Sequence, residues 1–178
     1  MCLWSQDESR FGLQTIQRRR LTLRGVKPVC PFEQAFENFW LCGAVQPNTG
    51  DSFVLELPAT DSDCLQVFLD QFALAHAQDP GEVQVLLMDN GAAHHANALR
   101  WPDRVVPVYL PAYCPELNPI ERWWQELKDA LSNQLFGTLA ALRAGLDREL
   151  TAWHQHPVRL CSLTSYPYLI HALTSLDQ

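Results

Sequence analysis

The sequence predicts an α/β domain in which a mixed sheet of about five strands carries helices on both faces. Length supports this prediction, because 178 residues suit one domain with a sizeable core. Composition supports it too, since hydrophobic residues make up 47% of the chain and charged residues 19%. The third observation is the order of elements, in which short β-favouring runs alternate with segments of helical periodicity.

The predicted strands are short runs rich in branched and aromatic residues, bounded by turn residues. The second and third are joined by the turn QPNTGD, which indicates an antiparallel hairpin. The fifth contains Pro107, which favours an edge position or a bulge. The five strands are predicted at residues 3–7, 37–45, 52–58, 83–89 and 104–111.

Three segments have apolar residues at helical spacing. Thr60 and Asp63 fit a capping box at the start of the first. Asn118 fits the cap of the second, with Pro119 at the first helical position. The three helices are predicted at residues 60–77, 117–136 and 138–156.

The domain is predicted to span residues 1–155. The remaining residues, 156–178, carry no clear pattern, and we expect them to form a tail that packs on the domain or extends it.

Composition excludes several classes of protein. No apolar run approaches the roughly 20 residues that span a bilayer, and two acids occupy the place where a signal peptide needs its apolar stretch. The six cysteines form no C-x-x-C pair, which favours reduced thiols. The adjacent His94 and His95 point in different directions on any element and do not suggest a metal clamp. We therefore expect a cytoplasmic protein without a membrane partner.

The formal net charge of −7 argues against binding of nucleic acid by the whole surface. Basic residues are nevertheless concentrated in one segment, QRRRLTLRGVK. Two interpretations stay open, namely a solvated loop or hairpin and a local patch that contacts DNA phosphates. The residues concerned are Arg18, Arg19, Arg20, Arg24 and Lys27.

Three acids stand at the ends of predicted elements: Asp7 and Asp89 end strands, and Glu121 lies in the first turn of a helix. If the first and fourth strands are neighbours, these carboxylates converge, and a hard cation such as Mg²⁺ or Mn²⁺ would relieve their repulsion. Each acid also has a local explanation. Asp7 and its neighbour Glu8 could be plain strand acids, Asp89 could accept turn hydrogen bonds, and Glu121 could complete a capping box.

Three blocks resemble those of known enzymes. The blocks are LWSQDESRFGL, LLMDNGAAHHA and CPELNPIERWWQELK. In this order they resemble the DDE transposases related to mariner elements, in particular the bacterial insertion-sequence branch. The third block is similar to that group's Pro-x-Leu-Asn-Pro-Ile-Glu run, which precedes a tryptophan-containing helix. The resemblance runs from Leu3 to about Lys128 and implies a ribonuclease-H-like fold.

The resemblance implies a catalytic triad of Asp7, Asp89 and Glu121, and so selects Asp7 over Glu8. It implies two Mg²⁺ or Mn²⁺ ions, with Asp7 bridging them, and cleavage and strand transfer of DNA at insertion-sequence ends. Asn90 and His94 would orient the site or touch DNA, and a purely structural role stays open for each. The gap between Asp89 and Glu121 is slightly shorter than usual, which a shorter loop around residues 97–103 would absorb.

The implied partners are the terminal repeats of an element and its target DNA, with a homodimer acting in the bacterial cytoplasm. Members of the family carry helix-turn-helix modules ahead of the catalytic domain, whereas Asp7 stands close to Met1 here. We therefore expect a separate DNA-binding polypeptide or a missing N-terminal domain. Two alternatives stay open, an inactive remnant and a different ribonuclease-H-like nuclease.

Overall fold

A mixed five-stranded sheet organises the chain in the computed structural model, which describes residues 1–19, 21–29, 31–77, 81–96 and 98–176. The strand order is β3-β2-β1-β4-β5. β1 pairs with β2 and β2 with β3 in antiparallel fashion, while β4 runs parallel to both β1 and β5. The predicted mixed sheet is thus confirmed. Its strands are β1 (Cys2–Gly12), β2 (Asn38–Val45), β3 (Ser52–Leu57), β4 (Gln84–Met88) and β5 (Val105–Tyr109).

Five α-helices accompany the sheet in the described residues. Two short 3₁₀ helices, Ala92–His95 and Pro115–Leu117, follow β4 and β5. The α-helices are α1 (Ser62–Ala75), α2 (Ile120–Ala130), α3 (Leu139–His154), α4 (Pro157–Thr164) and α5 (Pro167–Leu176).

The sheet separates two cores because its side chains alternate between the faces. Trp4 of β1 packs with Phe68 and Phe72 of α1 in one core. Phe11 of β1 packs in the other with residues of α2, α3 and α4, including Trp123. Helices therefore cover both faces, as predicted, and even-numbered residues of β1 face α1 while odd-numbered residues face α2.

β1 is longer than the sequence predicted. It continues to Gly12, so Asp7 lies in the middle of the strand and does not end it. Only the first part of β1, from Cys2 to Ser5, pairs with β4, whereas β2 accompanies the strand to its end. The antiparallel partner therefore extends β1 beyond the point where the parallel partner stops, and Asp7 lies just past that point.

Two predicted caps are wrong. The side chain that caps α1 belongs to Asp61, whose carboxylate accepts a hydrogen bond from the backbone N–H of Cys64 at 2.9 Å, and Thr60 takes no part. α2 begins at Ile120, one residue later than predicted, so Pro119 occupies the cap position. Each cap lies one residue after the predicted position, and helix ends are commonly uncertain by this amount because adjacent residues carry similar capping signals.

The tail forms α4 and α5. Leu160 of α4 is fully buried in the core beside α2 and α3, and Leu169 of α5 packs with Leu87 and Leu110. The division of the chain at residue 155 stays a prediction. Pro107 lies on β5, the outer strand of the described sheet, as predicted. No helix in the described ranges is long and apolar enough to cross a membrane.

Candidate active site

Asp7 is placed by β1 on the sheet face that α2 covers. Its Oδ2 accepts a hydrogen bond from Nε1 of Trp124 at 3.1 Å. The residue opposite Asp7 on β2 is Gly43, where an added Cβ would lie 2.6 Å from Cη2 of Trp124. The absence of a side chain at Gly43 therefore makes the space in which the indole reaches the carboxylate.

Asp89 follows directly on the last residue of β4. Ser5 pairs with Leu87 in the parallel register, so Asp7 and Asp89 each stand two residues beyond a paired residue, on neighbouring strands. Such strands lie about 4.8 Å apart. Oδ1 of Asp89 accepts a hydrogen bond from the backbone N–H of Gly91 at 3.0 Å, which shapes the turn after β4.

Glu121 is delivered by the first turn of α2, and β1 holds the start of that helix. The Ser5 hydroxyl accepts a hydrogen bond from the backbone N–H of Ile120 at 3.2 Å and bonds to Oδ1 of Asn118. Nδ2 of Asn118 donates to the Gln6 carbonyl at 2.8 Å. The sequence predicted that Asn118 caps α2. This prediction is wrong, because the side chain of Asn118 bonds to β1.

The three acids line one pocket of about 370 Å³. The opposite wall is the loop after β5, which includes the fully exposed Tyr113 in a left-handed backbone conformation with φ of 60°. A positive φ is uncommon for a bulky residue and marks a constrained turn. The pocket is lined by Asp7, Asp89, Asn90, Gly91, Leu110, Pro111, Ala112, Tyr113, Cys114, Pro115, Asn118 and Glu121.

The charges of neighbouring carboxylates raise the pKa values of Asp7 and Glu121. Burial raises the pKa of Asp7 well above its usual range, and the charges of Glu121, Glu8 and Asp89 raise it further. Burial also raises the pKa of Glu121; the cation of Lys128 lowers it, and Asp89 raises it again. The acids thus sense each other's charge, which is the electrostatic condition that a bound cation would relieve.

Oxygen donors in this arrangement suit a hard divalent cation. Within the described residues, however, no three His, Cys, Asp or Glu side chains already stand close enough together to enclose a metal ion. The fit is therefore one of donor chemistry and charge: carboxylates from three elements share one pocket.

Glu8 lies on the opposite face of β1 from Asp7, where it meets His94. Oε1 of Glu8 is 3.5 Å from Nε2 of His94, and Nδ1 of the same ring is 2.7 Å from Oδ1 of Asp89. Burial by itself would lower the pKa of His94, but its hydrogen bond and charge interaction with Glu8 prevail and raise the pKa to about 9. Burial would raise the pKa of Glu8, but the hydrogen bond and charge of His94 lower it.

Asn90 and His94, which were predicted to contact DNA, differ in their exposure. Asn90 is exposed in the pocket and bonds to the neighbouring His95. The His94 side chain is only 4% exposed, and carboxylates face both of its nitrogens. The ring of His94 is therefore enclosed by protein, and contact of either residue with DNA stays a prediction.

Three polar residues near Asp7 and Glu121 escaped the sequence reasoning. Neither Trp124 nor Ser5 was singled out as a site residue. Lys128 is half-buried, and the charges of Glu121 and Asp7 both raise its pKa, although burial prevails and lowers it. Helical spacing could have found Lys128, because it stands seven residues after Glu121 and so on the same face of α2. No signal in the sequence could have placed Ser5.

The basic residues lie in the loop between β1 and β2, which we call the 13–37 loop. Its base is closed by backbone hydrogen bonds from Leu13 to Glu37 and from Thr15 to Glu33. The interpretation as a loop is confirmed, and contact with phosphate stays a prediction. Arg18 forms an ion pair with Asp129 of α2, Arg20 lies outside the described residues, and Arg19, Arg24 and Lys27 are exposed.

Comparison with known families gives one match over most of the chain. The family model described as "DDE superfamily endonuclease" matches residues 2–143. A protein of Sinorhizobium fredii (strain NBRC 101917 / NGR234), named "Uncharacterized protein y4pE/y4sA", is 36% identical over 98 residues, which cover 54% of this chain and 71% of that protein.

Solved structures with the same fold include several complexes of Mos1 transposase. The paired-end complex with the left transposon end has a TM-score of 0.63 and 20% identity, covering 92% of this chain and 56% of the other. The strand transfer complex has a TM-score of 0.64 and 19% identity, covering 93% and 55%. The mariner paired-end complex with Mg has a TM-score of 0.64 and 19% identity, covering 91% and 53%. The chain thus has a ribonuclease-H-like fold and spans just over half the length of these transposases.

Proposed function

Because this chain belongs to the DDE superfamily endonucleases, we propose that it is the catalytic domain of an insertion-sequence transposase that cleaves DNA strands and transfers them to target DNA. One observation carries the proposal. Asp7, Asp89 and Glu121 come from three separate parts of the fold and line one pocket. The charges of Glu121 and Asp89 raise the pKa of Asp7. A protein that places acids around the partly buried Asp7 keeps them in repulsion at a cost in stability, and a functional site is the usual reason.

The proposed cofactor is Mg²⁺ or Mn²⁺, as two ions. The Mg²⁺ in a Mos1 paired-end complex of the same fold supports the choice of cation. When bound, two such ions would stabilise charge on the attacking and leaving oxygens of a phosphodiester. Asp7 on β1, Asp89 after β4 and Glu121 on α2 would hold the ions.

The residues of the chain would fix the geometry of the reaction. Trp124 holds one oxygen of Asp7, and Ser5 holds the start of α2 against β1 and so sets the position of Glu121. In the proposed reaction, water attacks the phosphorus at the element end and the bond to the 3′ oxygen breaks. The 3′ hydroxyl that is released then attacks the phosphorus of a target phosphodiester by the same in-line displacement. The new ester bond forms as the bond from that phosphorus to the target's 3′ oxygen breaks, and the target strand leaves with a 3′ hydroxyl.

The 13–37 loop would contact DNA on the side of the pocket that α2 defines. Arg18 is paired with Asp129, eight residues after Glu121 and so about 12 Å further along the helix. Arg19, Arg24 and Lys27 are exposed in the same loop. Terminal-repeat and target DNA are the proposed partners, in a homodimer and with a separate helix-turn-helix module.

The proposal is tested by cleavage of labelled terminal-repeat DNA in the presence of Mg²⁺ or Mn²⁺, with and without the polypeptide encoded upstream. Asp89→Asn and Glu121→Gln should each lower the cleavage rate by on the order of 10²–10³ or more, because each removes a charged ligand while keeping the shape of the side chain. Circular dichroism should show an unchanged fold. Glu116→Gln is the matched control, since Glu116 is an exposed acid of the neighbouring 3₁₀ helix.

Full cleavage by Asp89→Asn would reject the proposed role of that acid. Failure of the wild type to cleave under every condition would favour an inactive remnant. Preferential cleavage of RNA–DNA hybrids would favour a different ribonuclease-H-like nuclease.

A further inference from the structure

A buried polar cluster lies behind the sheet, on the face of β1 that is turned away from Asp7. Glu8 is its centre. Nε2 of Gln6 donates to Oε1 of Glu8 at 2.8 Å, the thiol of Cys42 lies 3.6 Å from the same oxygen, and Nε2 of His94 lies 3.5 Å from it. Glu8 thus stands among three donors that restrict its carboxylate to one orientation. None of the steps described for the pocket uses this cluster.

His94 connects the cluster to the pocket. Its ring is buried, and Nδ1 bonds to the backbone carbonyl oxygen of Asp89 at 3.0 Å. The same nitrogen lies 2.7 Å from Oδ1 of Asp89 in an ion-pair contact, and Oδ1 accepts a hydrogen bond from the backbone N–H of Gly91 at 3.0 Å. The side chain of Asp89 is 57% exposed. The imidazole and one backbone N–H therefore hold one carboxylate oxygen of an otherwise accessible side chain, and no donor from the described residues bonds to Oδ2.

We propose that Glu8 and His94 are a positioning pair: Glu8 orients the imidazole, the imidazole holds Oδ1 of Asp89, and Oδ2 is left to bind a divalent cation in the pocket. The naming of the cation rests on the proposed function. The chain of contacts from Glu8 through His94 to Asp89 does not. Residues that orient a metal ligand in this way change metal affinity by about 10–100-fold when they are replaced.

Gly91 supports the same arrangement. A Cβ added there would lie 3.0 Å from Oδ1 of Asp89 and 3.5 Å from Nδ1 of His94. A side chain at this position would press on the oxygen that the imidazole holds. The turn after β4 therefore leaves the space that the contact between His94 and Asp89 requires.

Two substitutions separate the halves of the pair. In His94→Asn the amide nitrogen stands where Nδ1 stood and can still donate to Asp89. In His94→Gln the amide nitrogen stands where Nε2 stood and can donate only to Glu8. A purely structural role of His94 would be affected by both, whereas a positioning role depends on which donor is kept.

Binding of Mn²⁺ to the purified full chain is measured by electron paramagnetic resonance, without DNA. We expect His94→Gln to weaken binding by about tenfold and His94→Asn by less than about threefold. His156→Gln, which replaces an exposed histidine before α4, should leave binding unchanged. Equal binding by all variants, or equal loss in both His94 variants, would overturn the proposal.

A second measurement needs no metal. In the metal-free protein, the ¹⁵N resonance of His94 Nδ1 should shift in Asp89→Ala and in Glu8→Gln but not in His156→Gln. If the resonance does not shift in Asp89→Ala and Glu8→Gln, the proposal that Glu8 and His94 position Asp89 is rejected. If the wild type binds no Mn²⁺, the proposed function loses its cofactor, while this shift still decides whether Glu8 and His94 hold Asp89.

Discussion

Asp7 is the residue at which folding and the proposed chemistry conflict. The β1 strand buries its carboxylate, the indole of Trp124 donates to it, and three further acids repel it, so that its pKa lies well above the usual range. The hydrogen bonds from Trp124 and from the backbone of Glu8 do not offset the loss of hydration and the repulsion. In the absence of a cation, this side chain therefore destabilises the folded state at neutral pH.

Asp7→Asn should raise the thermal unfolding midpoint of the metal-free protein at neutral pH by about 2–4 °C, which corresponds to about 1 kcal/mol for a chain of this size. The amide removes the charge, and its oxygen can still accept from Trp124. Differential scanning calorimetry with a chelator measures the change. The same substitution should abolish cleavage, so stability and activity should move in opposite directions.

The advantage of this variant should shrink as the pH falls. A raised pKa means that the folded protein binds the proton of Asp7 more tightly than the unfolded chain, whose value is near 3.8. The contribution of Asp7 to the stability of the wild type therefore increases as the pH drops through the pKa of the folded state. It reaches its full value below the unfolded-chain pKa of 3.8. A difference between variant and wild type that widened toward acid pH would contradict the account.

The sequence could supply the three acids but not their support. Asp7, Asp89 and Glu121 were found from element ends and from resemblance to a family. The bonds from Trp124 to Asp7 and from Ile120 to Ser5 join residues more than a hundred positions apart. Such pairs depend on how β1 and α2 pack, which no local pattern encodes.

At the level of elements, the site depends on the contact between β2 and α2. Trp124 is 1% exposed, and its ring occupies the space above Gly43. The helix can approach the sheet closely only because the strand has no side chain at that point. The close approach of α2 to β1 therefore depends on Gly43, which belongs to β2.

Gly43→Ala should destabilise the protein by about 1–3 kcal/mol, because the added methyl group would lie 2.6 Å from Trp124 and force the helix or the ring to move. Chemical denaturation measures the change. Gly81→Ala is the control, since among the described residues, its chain neighbours aside, no atom lies within 4 Å of an added Cβ there.

Displacement of Trp124 also removes the donor to Asp7, so cleavage by Gly43→Ala should fall by more than the loss of folded protein accounts for. A variant as stable as Gly81→Ala would show that the indole does not need this space.

Over the whole molecule, the mixed character of the sheet was more predictable than the helix starts and the structure of the tail. The alternating pattern of the strands and the strand–helix–strand unit indicated a mixed sheet. Both can be recognised from neighbouring residues in the sequence. Residues 157–176 form two helices that no pattern suggested, and they are fixed by packing of Leu160 and Leu169 against distant elements. Tertiary contact decided the structure where the local signal was weak.

Charge over the whole molecule is divided between an acidic body and the basic 13–37 loop. The net charge of −7 opposes approach of DNA, so a local basic surface would have to supply most of the attraction. The loop also exposes apolar side chains, among them Leu21 and Val29, which a protein partner could cover. The two kinds of partner differ in how binding responds to salt.

Arg24→Glu should weaken binding of terminal-repeat DNA and lower the slope of log affinity against log salt by about one for each phosphate that the loop no longer neutralises. Arg148→Glu changes the net charge by the same amount on the exposed face of α3 and is the matched control. Fluorescence anisotropy over a series of salt concentrations measures both slopes. If the two variants behave alike, Arg24 acts only through the overall charge, and the apolar side chains of the loop become the better guide to its partner.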